Sequence, residues 1–332
     1  MNESKELNAM KIPGLDKELA PIMIGTSSAL FTDEMTPWIH TDLTKEEQFQ
    51  VIDELWDMGL HCFDAAAGYG ERVLGDYLRC RGRENEAVIL TKGCHPNQYR
   101  KRVTEFDLLS DFYDSLAKLG RDYIDIYMLH RDDPEVPVSK IIPVLDRLQK
   151  EGKIRIYGAS NWSMERFREA NDFAARNGMD GFRAISPHYS LAHQIADPWG
   201  GGVSITGEEH AEDREWLIAQ QIPVFAYSSM SGGFISGMFK SSDKEGAKKL
   251  LSPPAMAGYY AEENFERLAR AEELAGKYGV SVAQISMAWL FNQPLKVIPL
   301  QGGENAQMYA QTLRAAELKL MQDEVKWLNL EI

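Results

Sequence analysis

The chain has 332 residues, with 50 acidic and 36 basic side chains and a formal net charge of −14. This acidic balance disfavours a nucleic-acid or anionic-membrane partner, because both reward a basic surface. Three cysteines give no even disulfide framework, and the sequence has no apolar run of about 18 residues and no apolar leader at its start. We therefore expect a soluble cytoplasmic protein.

Short apolar or β-branched runs alternate along the chain with longer segments of helical period. The eight predicted strands cover residues 22–25, 61–64, 88–91, 124–129, 154–158, 183–186, 224–227 and 297–299. Thr44 with Glu47, and Ser281 with Gln284, have the spacing of a capping box and predict two helix starts. A third predicted helix carries its apolar residues at helical spacing, at Phe106, Leu109, Phe112, Leu116 and Leu119.

Eight strands that are each followed by a helix predict an α/β protein with a (β/α)8 TIM barrel as a single domain over residues 1–332. Residues 1–20 are expected to form an N-terminal extension, either a short hairpin or coil. A doubly wound open sheet is the alternative, but a dinucleotide-binding sheet of that type usually has Gly-x-Gly-x-x-Gly after its first strand, and no predicted strand is followed by this motif. Two long loops, 188–208 and 228 to about 260, follow strands six and seven and are predicted to cover a ligand at the C-terminal face.

Three consecutive predicted strands end in titratable residues, namely Asp64, Lys92 and His130, and Tyr69 follows Asp64 by five positions. The carboxyl ends of barrel strands share one rim, and burying these groups together without a role is costly. An ammonium group lowers the pKa of a neighbouring phenol, and a carboxylate keeps that ammonium charged. The set predicts a site that donates a proton to a carbonyl oxygen without metal ligands, so that a bound cofactor supplies the rest of the reaction.

These residues stand in motifs that resemble the aldo-keto reductase superfamily, and the resemblance runs from about Ile22 to Leu328. The motifs, in order, are FDAAAGYG, LTKG, YMLHRDDP, GASNW and AYSSMSGG. The resemblance implies a TIM barrel and the reversible, nicotinamide-dependent reduction of aldehydes and ketones. It implies Tyr69 as the general acid/base, whose pKa Lys92 lowers. It also implies that Asp64 pairs with Lys92 and that His130 orients the carbonyl group.

The same resemblance implies the cofactor contacts. Ser160 and Asn161 resemble the pair that binds the nicotinamide carboxamide, and Ser186 stands where the family commonly has glutamine. Tyr227 resembles the aromatic residue that stacks on the nicotinamide, and the backbone of 228–233 resembles the segment around the pyrophosphate. The implied cofactor-binding residues are Ser160, Asn161, Ser186, Tyr227, Ser228, Ser229, Ser231, Gly232, Gly302, Glu304, Gln311 and Thr312.

The segment 299–312 departs from the family pattern, because many relatives place Lys or Arg there to hold the 2′-phosphate of NADPH. This chain has Glu304 and Met308 and no basic residue before Arg314. A carboxylate repels a phosphate and can accept a hydrogen bond from a free ribose hydroxyl. We therefore expect NAD(P)H as the cofactor, with weak discrimination or a preference for NAD(H).

Aromatic residues follow several predicted strands, and Phe31, Trp38, Trp162 and Trp199 predict a flat-walled pocket. Such walls suit a sugar ring, whose CH faces pack on aromatic side chains. We expect a small carbonyl or sugar substrate, a role in carbohydrate metabolism, and a monomer or small homo-oligomer.

Two other functions remain open from the sequence. One is a cofactor-binding regulatory subunit that resembles the potassium-channel β-subunits. The other is a barrel lyase that forms a Schiff base on Lys92, which the nearby Asp64 disfavours because it keeps the amine charged.

Overall fold

A computed structural model of the chain describes residues 9–332. The strands of these residues are β1 (Met23–Gly25), β2 (Cys62–Asp64), β3 (Val88–Gly93), β4 (Ile124–Leu129), β5 (Ile154–Ser160), β6 (Ala184–Ser186), β7 (Val224–Ala226) and β8 (Val297–Gln301). The α-helices are α1 (Lys45–Asp57), α2 (Glu71–Arg81), α3 (Glu105–Leu119), α4 (Val138–Lys150), α5 (Met164–Arg176), α6 (Ala211–Ala219), α7 (Lys244–Leu250), α8 (Pro253–Tyr259), α9 (Glu262–Tyr278), α10 (Val282–Phe291), α11 (Ala306–Glu317) and α12 (Gln322–Leu328).

The strands form a closed parallel barrel in the order β1 to β8, which confirms the predicted (β/α)8 fold and excludes the open sheet. The register of β2 and β3 pairs Asp64 with Leu90, and that of β3 and β4 pairs Lys92 with Met128. Because the strands are parallel, their carboxyl ends carry the functional residues, as in other barrels of this type.

The chain divides into two compact units. The first unit comprises residues up to Ser186 together with Leu300–Tyr309, and the second comprises Pro187–Pro299 with Ala310–Ile332. In the first unit, Met10 and Leu19 form an antiparallel bridge with backbone hydrogen bonds of 2.7 and 2.9 Å. Residues 1–8 of the predicted N-terminal extension lie outside the described residues.

Both predicted capping boxes are present, at Thr44 with Glu47 and at Ser281 with Gln284. The predicted buried face of α3 is wrong at its start, because Phe106 is 77% exposed. The segment after β7 was expected as a loop to about residue 260, but it contains α7 and α8, each with a capping side chain at its start. Within residues 9–332, no helix is both long enough and apolar enough to cross a membrane.

Candidate active site

An ion pair and a phenol meet at the carboxyl ends of β2 and β3 in the first unit. Lys92 Nζ lies 2.5 Å from Asp64 Oδ1 and 3.4 Å from the Tyr69 hydroxyl, and it also donates to the Ala65 carbonyl at 3.0 Å. The side chains of Lys92 and Asp64 are buried, and Tyr69 is half-buried. The structure therefore brings together the carboxylate, ammonium and phenol that the sequence singles out.

The segment between β2 and α2 is held in one conformation. The Ala67 N–H donates to the Lys92 carbonyl at 2.8 Å, and the Tyr69 N–H donates to the Ala66 carbonyl at 2.9 Å. Gly70 has a φ of 75°, and a β-carbon there would lie 1.9 Å from the Thr26 hydroxyl, so only glycine fits without displacing Thr26. These contacts hold the backbone that carries Tyr69.

Burial and charge act in opposite directions on the pKa of Tyr69. Burial of its hydroxyl raises this pKa above the ordinary value, and the Lys92 ammonium opposes the rise only in part. The expected effect of Lys92 is present, but the net shift is upward. Burial acts to lower the pKa of Lys92, and Asp64 outweighs it, so Lys92 remains charged.

His130 directly follows β4, and its ring lies 6.2 Å from the Tyr69 ring. Burial and the Lys92 charge hold the pKa of His130 well below its usual range, so the imidazole is neutral near pH 7. Two further groups adjoin it, and neither was predicted from the sequence. The ring of His95 lies 4.8 Å away, and Arg131 Nη1 donates to the His130 carbonyl at 2.9 Å. Its position next to His130 in the sequence is the signal that could have found Arg131.

Three of the expected cofactor residues of the first unit are connected by hydrogen bonds. Asn161 Nδ2 donates to Ser160 Oγ, and Ser160 Oγ donates to the Ser186 carbonyl, both at 2.9 Å. Asn161 has a φ of 57°, a conformation that asparagine tolerates better than most residues. The buried hydroxyl of Ser186 has no hydrogen-bond partner within residues 9–332. An unpaired buried hydroxyl next to these hydrogen-bonded residues fits the carboxamide of a nicotinamide.

The end of β8 carries Gln301, a residue for which the sequence predicted no role. Gln301 is 2% exposed, yet neither its amide oxygen nor its amide nitrogen has a partner among the described residues. The hydroxyl of Ser28, a buried residue after β1, is also unpaired. Of the expected cofactor residues here, Gly302 and Glu304 are exposed. A polar residue at the end of a strand was the available signal for Gln301.

The second unit holds the remaining expected cofactor residues. Tyr227 and Ser228 are half-buried, Gly232 is exposed, and Ser229 and Ser231 are buried. In the same unit, Gln311 is half-buried and Thr312 is buried, so Gln311 is the more accessible of the two.

The predicted aromatic pocket is corrected by the burial of its members. Trp162 is fully buried against Phe182, with ring centres 5.1 Å apart, so it cannot contact a substrate as expected. Phe31 is 1% exposed and packs on Phe63 at 6.0 Å. Trp38 and Trp199 are exposed, at 66% and 50%.

Two cavities lie near the segment after β1 in the first unit, and Tyr69 lines only the smaller of them. The smaller has a volume of about 140 Å³, and Tyr69 and Phe31 are among its lining residues. The larger, of about 600 Å³, lies between the segment after β1 and helices α1 and α2. Both are lined by Asp33 and Arg72, whose charged groups are 3.5 Å apart.

Comparison with known proteins identifies the family. Residues 21–329 match the family model described as "Aldo/keto reductase family". The chain belongs to the aldo/keto reductase family. It is therefore an oxidoreductase, and NAD(P)H-dependent reduction of carbonyl compounds is the reaction of the family.

Similar aldo/keto reductases and one channel-related protein illustrate the range of relatives. Aldo-keto reductase YhdN of Bacillus subtilis (strain 168) is 27% identical over 283 residues, covering 80% of this chain and 77% of the relative. A putative voltage-gated potassium channel subunit beta of Schizosaccharomyces pombe (strain 972 / ATCC 24843) is 23% identical over 284 residues, covering 80% and 78%. The crystal structure of the thermostable aldo-keto reductase Tm1743 with the inhibitor epalrestat matches with a TM-score of 0.71 at 20% identity, covering 98% of this chain and 99% of that one.

Proposed function

We propose that this chain reduces a hydroxylated aldehyde or ketone, such as a sugar, with Tyr69 as the general acid. The observation that supports the proposal most directly is the position of Lys92 Nζ, 2.5 Å from Asp64 and 3.4 Å from the Tyr69 hydroxyl. A charged amine at this position stabilises the phenolate that remains after the proton has been donated. The reverse reaction uses the same phenol as the base.

NAD(P)H supplies the hydride when it is bound. In the first unit, Ser160, Asn161 and the unpaired hydroxyl of Ser186 would hold its carboxamide. The exposed Glu304 stands where relatives carry a basic residue, and we propose a preference for NAD(H) on that ground.

The protein side of the reaction is a single proton transfer. Because burial raises the pKa of Tyr69, the phenol is fully protonated near pH 7 and can donate from its Oη. Neutral His130 can donate a ring N–H to the carbonyl oxygen and so orient it beside that phenol. Asp64 keeps Lys92 charged and directed at the phenol through the whole reaction.

The substrate class rests on the two cavities near the segment after β1, of which Tyr69 lines the smaller one. The larger cleft shares Asp33 and Arg72 with the smaller cavity. Its other lining residues include Thr32, Thr41 and Asp76. Hydroxyl and carboxylate groups can bind the several hydroxyls of a polyol. This lining supports a sugar or similar carbonyl compound now that Trp162 no longer contributes an aromatic wall.

The test replaces the Tyr69 hydroxyl and nothing else. Tyr69→Phe is expected to lower kcat by about two to four orders of magnitude, as the loss of a general acid does, while the Kd for the cofactor stays within about twofold. Oxidation of NADH and NADPH is followed by absorbance with a panel of sugars and apolar aldehydes. Tyr113→Phe, on an exposed side chain of α3, is the matched control and should keep the wild-type rate.

Three results would contradict parts of this proposal. Wild-type kcat in Tyr69→Phe would remove Tyr69 as the acid. Much faster turnover of apolar aldehydes than of sugars would remove the proposed substrate class. Cofactor binding by the wild type without turnover of any compound would favour a regulatory role, as the potassium-channel β-subunit relative suggests.

A further inference from the structure

A chain of buried hydroxyl groups runs through His188 in the second unit. His188 is fully buried, with Nδ1 2.8 Å from Ser204 Oγ and Nε2 2.9 Å from Ser190 Oγ. Ser231 Oγ donates to Ser190 Oγ at 2.9 Å. The chain therefore links the segment after β6 to the segment after β7, and none of its members belongs to the proposed catalytic set.

The hydrogen bonds determine which ring nitrogen of His188 carries the proton. Ser190 Oγ donates its own proton to the Ala192 carbonyl at 2.8 Å, so it must accept from both Ser231 and His188. The proton of the imidazole is therefore on Nε2, and Nδ1 accepts from Ser204. Burial lowers the pKa of His188 to about 3, which keeps the ring neutral and this direction unchanged at physiological pH.

The hydrogen-bond chain ends in the loop 228–233, whose backbone conformation is unfavourable for two of its residues. Ser228 and Ser231 have φ values of 49° and 55°, in the left-handed region that favours glycine. Non-glycine residues stay in that region only where surrounding contacts fix them. For Ser231 the fixing contact is its hydroxyl bond to Ser190, because that side chain is fully buried.

The neighbouring residues leave this loop little room on one side. A β-carbon at Gly232 would lie 3.0 Å from the β-carbon of Ala255 in α8. The His188 ring lies near two aromatic rings, with its centre 6.0 Å from that of Tyr227 and 5.5 Å from that of Tyr259. His188 therefore packs near Tyr227, which is expected to stack on the nicotinamide, and near Tyr259 of α8, the helix that also lies against Gly232 of the loop 228–233.

We propose that the His188–Ser190–Ser231 chain is a positioning device that holds the loop 228–233 in the conformation that receives the pyrophosphate of a dinucleotide. The inference rests on the proposed function, because the loop has this role only if the protein binds NAD(P)H. His188 is a positioning residue, because both of its ring nitrogens bond serine hydroxyls and its effect reaches the loop through Ser190. Fixing the loop before binding removes an ordering cost from cofactor association.

The test measures cofactor affinity separately from turnover and stability. His188→Phe keeps an aromatic ring near Tyr227 and Tyr259 but removes both hydrogen-bonding nitrogens. The Kd values for NADH and NADPH, from quenching of tryptophan fluorescence, are expected to rise about tenfold, with kcat at saturating cofactor within about threefold of the wild type.

His193→Phe is the matched control. His193 lies in the same unit, has a pKa lowered to about 4 by burial, and bonds Arg267 at 3.0 Å rather than any residue of the loop. The His193→Phe variant should be less stable than the wild type but should bind the cofactor with the same affinity. Equal Kd values for the His188→Phe and His193→Phe variants would overturn the inference.

Ser231→Ala supplies a second, milder variant in case His188→Phe does not fold. It should raise the Kd values for NADH and NADPH about as much as His188→Phe does. The double variant should bind the cofactor no more weakly than either single variant, because both substitutions break the same hydrogen-bond chain. Additive effects of the two substitutions would overturn the inference. If the wild type binds neither NADH nor NADPH, the proposed function fails and this inference fails with it, whereas normal wild-type binding with unchanged variants removes the inference alone.

Discussion

At the scale of single residues, Lys92 is the group on which the proposed chemistry depends. Its one ammonium serves a carboxylate, a backbone carbonyl and a phenol at the same time, with all but 3% of its surface buried. Removing either member of a buried ion pair leaves an uncompensated charge, while removing both does not. The pair can therefore be tested for stability and for activity separately.

Lys92→Met should destabilise the fold by about 3–5 kcal/mol and abolish turnover, because it leaves the Asp64 carboxylate buried and unpaired. The double variant Lys92→Met with Asp64→Leu should recover most of that stability and remain inactive. Urea unfolding at pH 7 and cofactor oxidation measure the two effects. A double variant no more stable than Lys92→Met would show that the unpaired carboxylate is not the cause.

The residues that were predictable are those whose position in a strand reveals them. Asp64 and Lys92 interrupt apolar runs, and that contrast was visible in the sequence. The burial of Trp162 and the unpaired amide of Gln301 were not visible, because both depend on side chains far away in the sequence. The role of Ser231 was implied only for its backbone, and its hydroxyl bond to Ser190 required the fold.

At the scale of elements, local signals predicted helix starts better than helix faces. A capping box needs only four residues, and both predicted boxes formed. Which side of α3 is buried depends on its neighbours, and Phe106 in its first turn is exposed while Phe112 is buried. Helices α7 and α8 were missed because each has only seven residues, too few to show a periodic pattern.

Glycine within a helix offers a prediction about packing between elements. A β-carbon at Gly75 of α2 would lie 2.1 Å from the Lys118 carbonyl oxygen of α3, whereas Gly276 of α9 has no atom within 4 Å of that position. Gly276→Ala should stabilise the protein by about 0.5–1 kcal/mol through helix propensity. Gly75→Ala should destabilise it despite the same gain, because two backbones would have to separate. Thermal unfolding of both variants measures the contrast, and two substitutions of the same sign would refute the close approach of α2 and α3.

At the scale of the whole molecule, the number and direction of the strands were predictable from the alternation of short apolar runs with helical segments. The lengths of the strands were harder to predict, because β3, β5 and β8 each continue two residues beyond their predicted ends. These extra residues include Lys92, Ser160 and Gln301, so the underestimated strand ends coincide with candidate site residues. Polar residues that belong to a site end an apolar pattern without ending the strand.

Ligand binding to the native chain stabilises it as a whole, and this linkage tests the cofactor preference. A ligand at about 100 times its Kd adds about 2.7 kcal/mol to the free energy of unfolding. If the protein prefers NADH, then at equal concentrations NADH should raise the Tm more than NADPH.

Glu304→Lys should raise the affinity for NADPH about tenfold and leave the affinity for NADH nearly unchanged, since only NADPH carries the 2′-phosphate. Glu86→Lys, an identical charge change on an exposed residue just before the amino end of β3, is the control and should leave the order of the two cofactors unaltered. A larger rise of the wild-type Tm with NADPH than with NADH would contradict the proposed preference. An equal gain of NADPH affinity in the two lysine variants would show that the total charge, and not the position of Glu304, determines the preference.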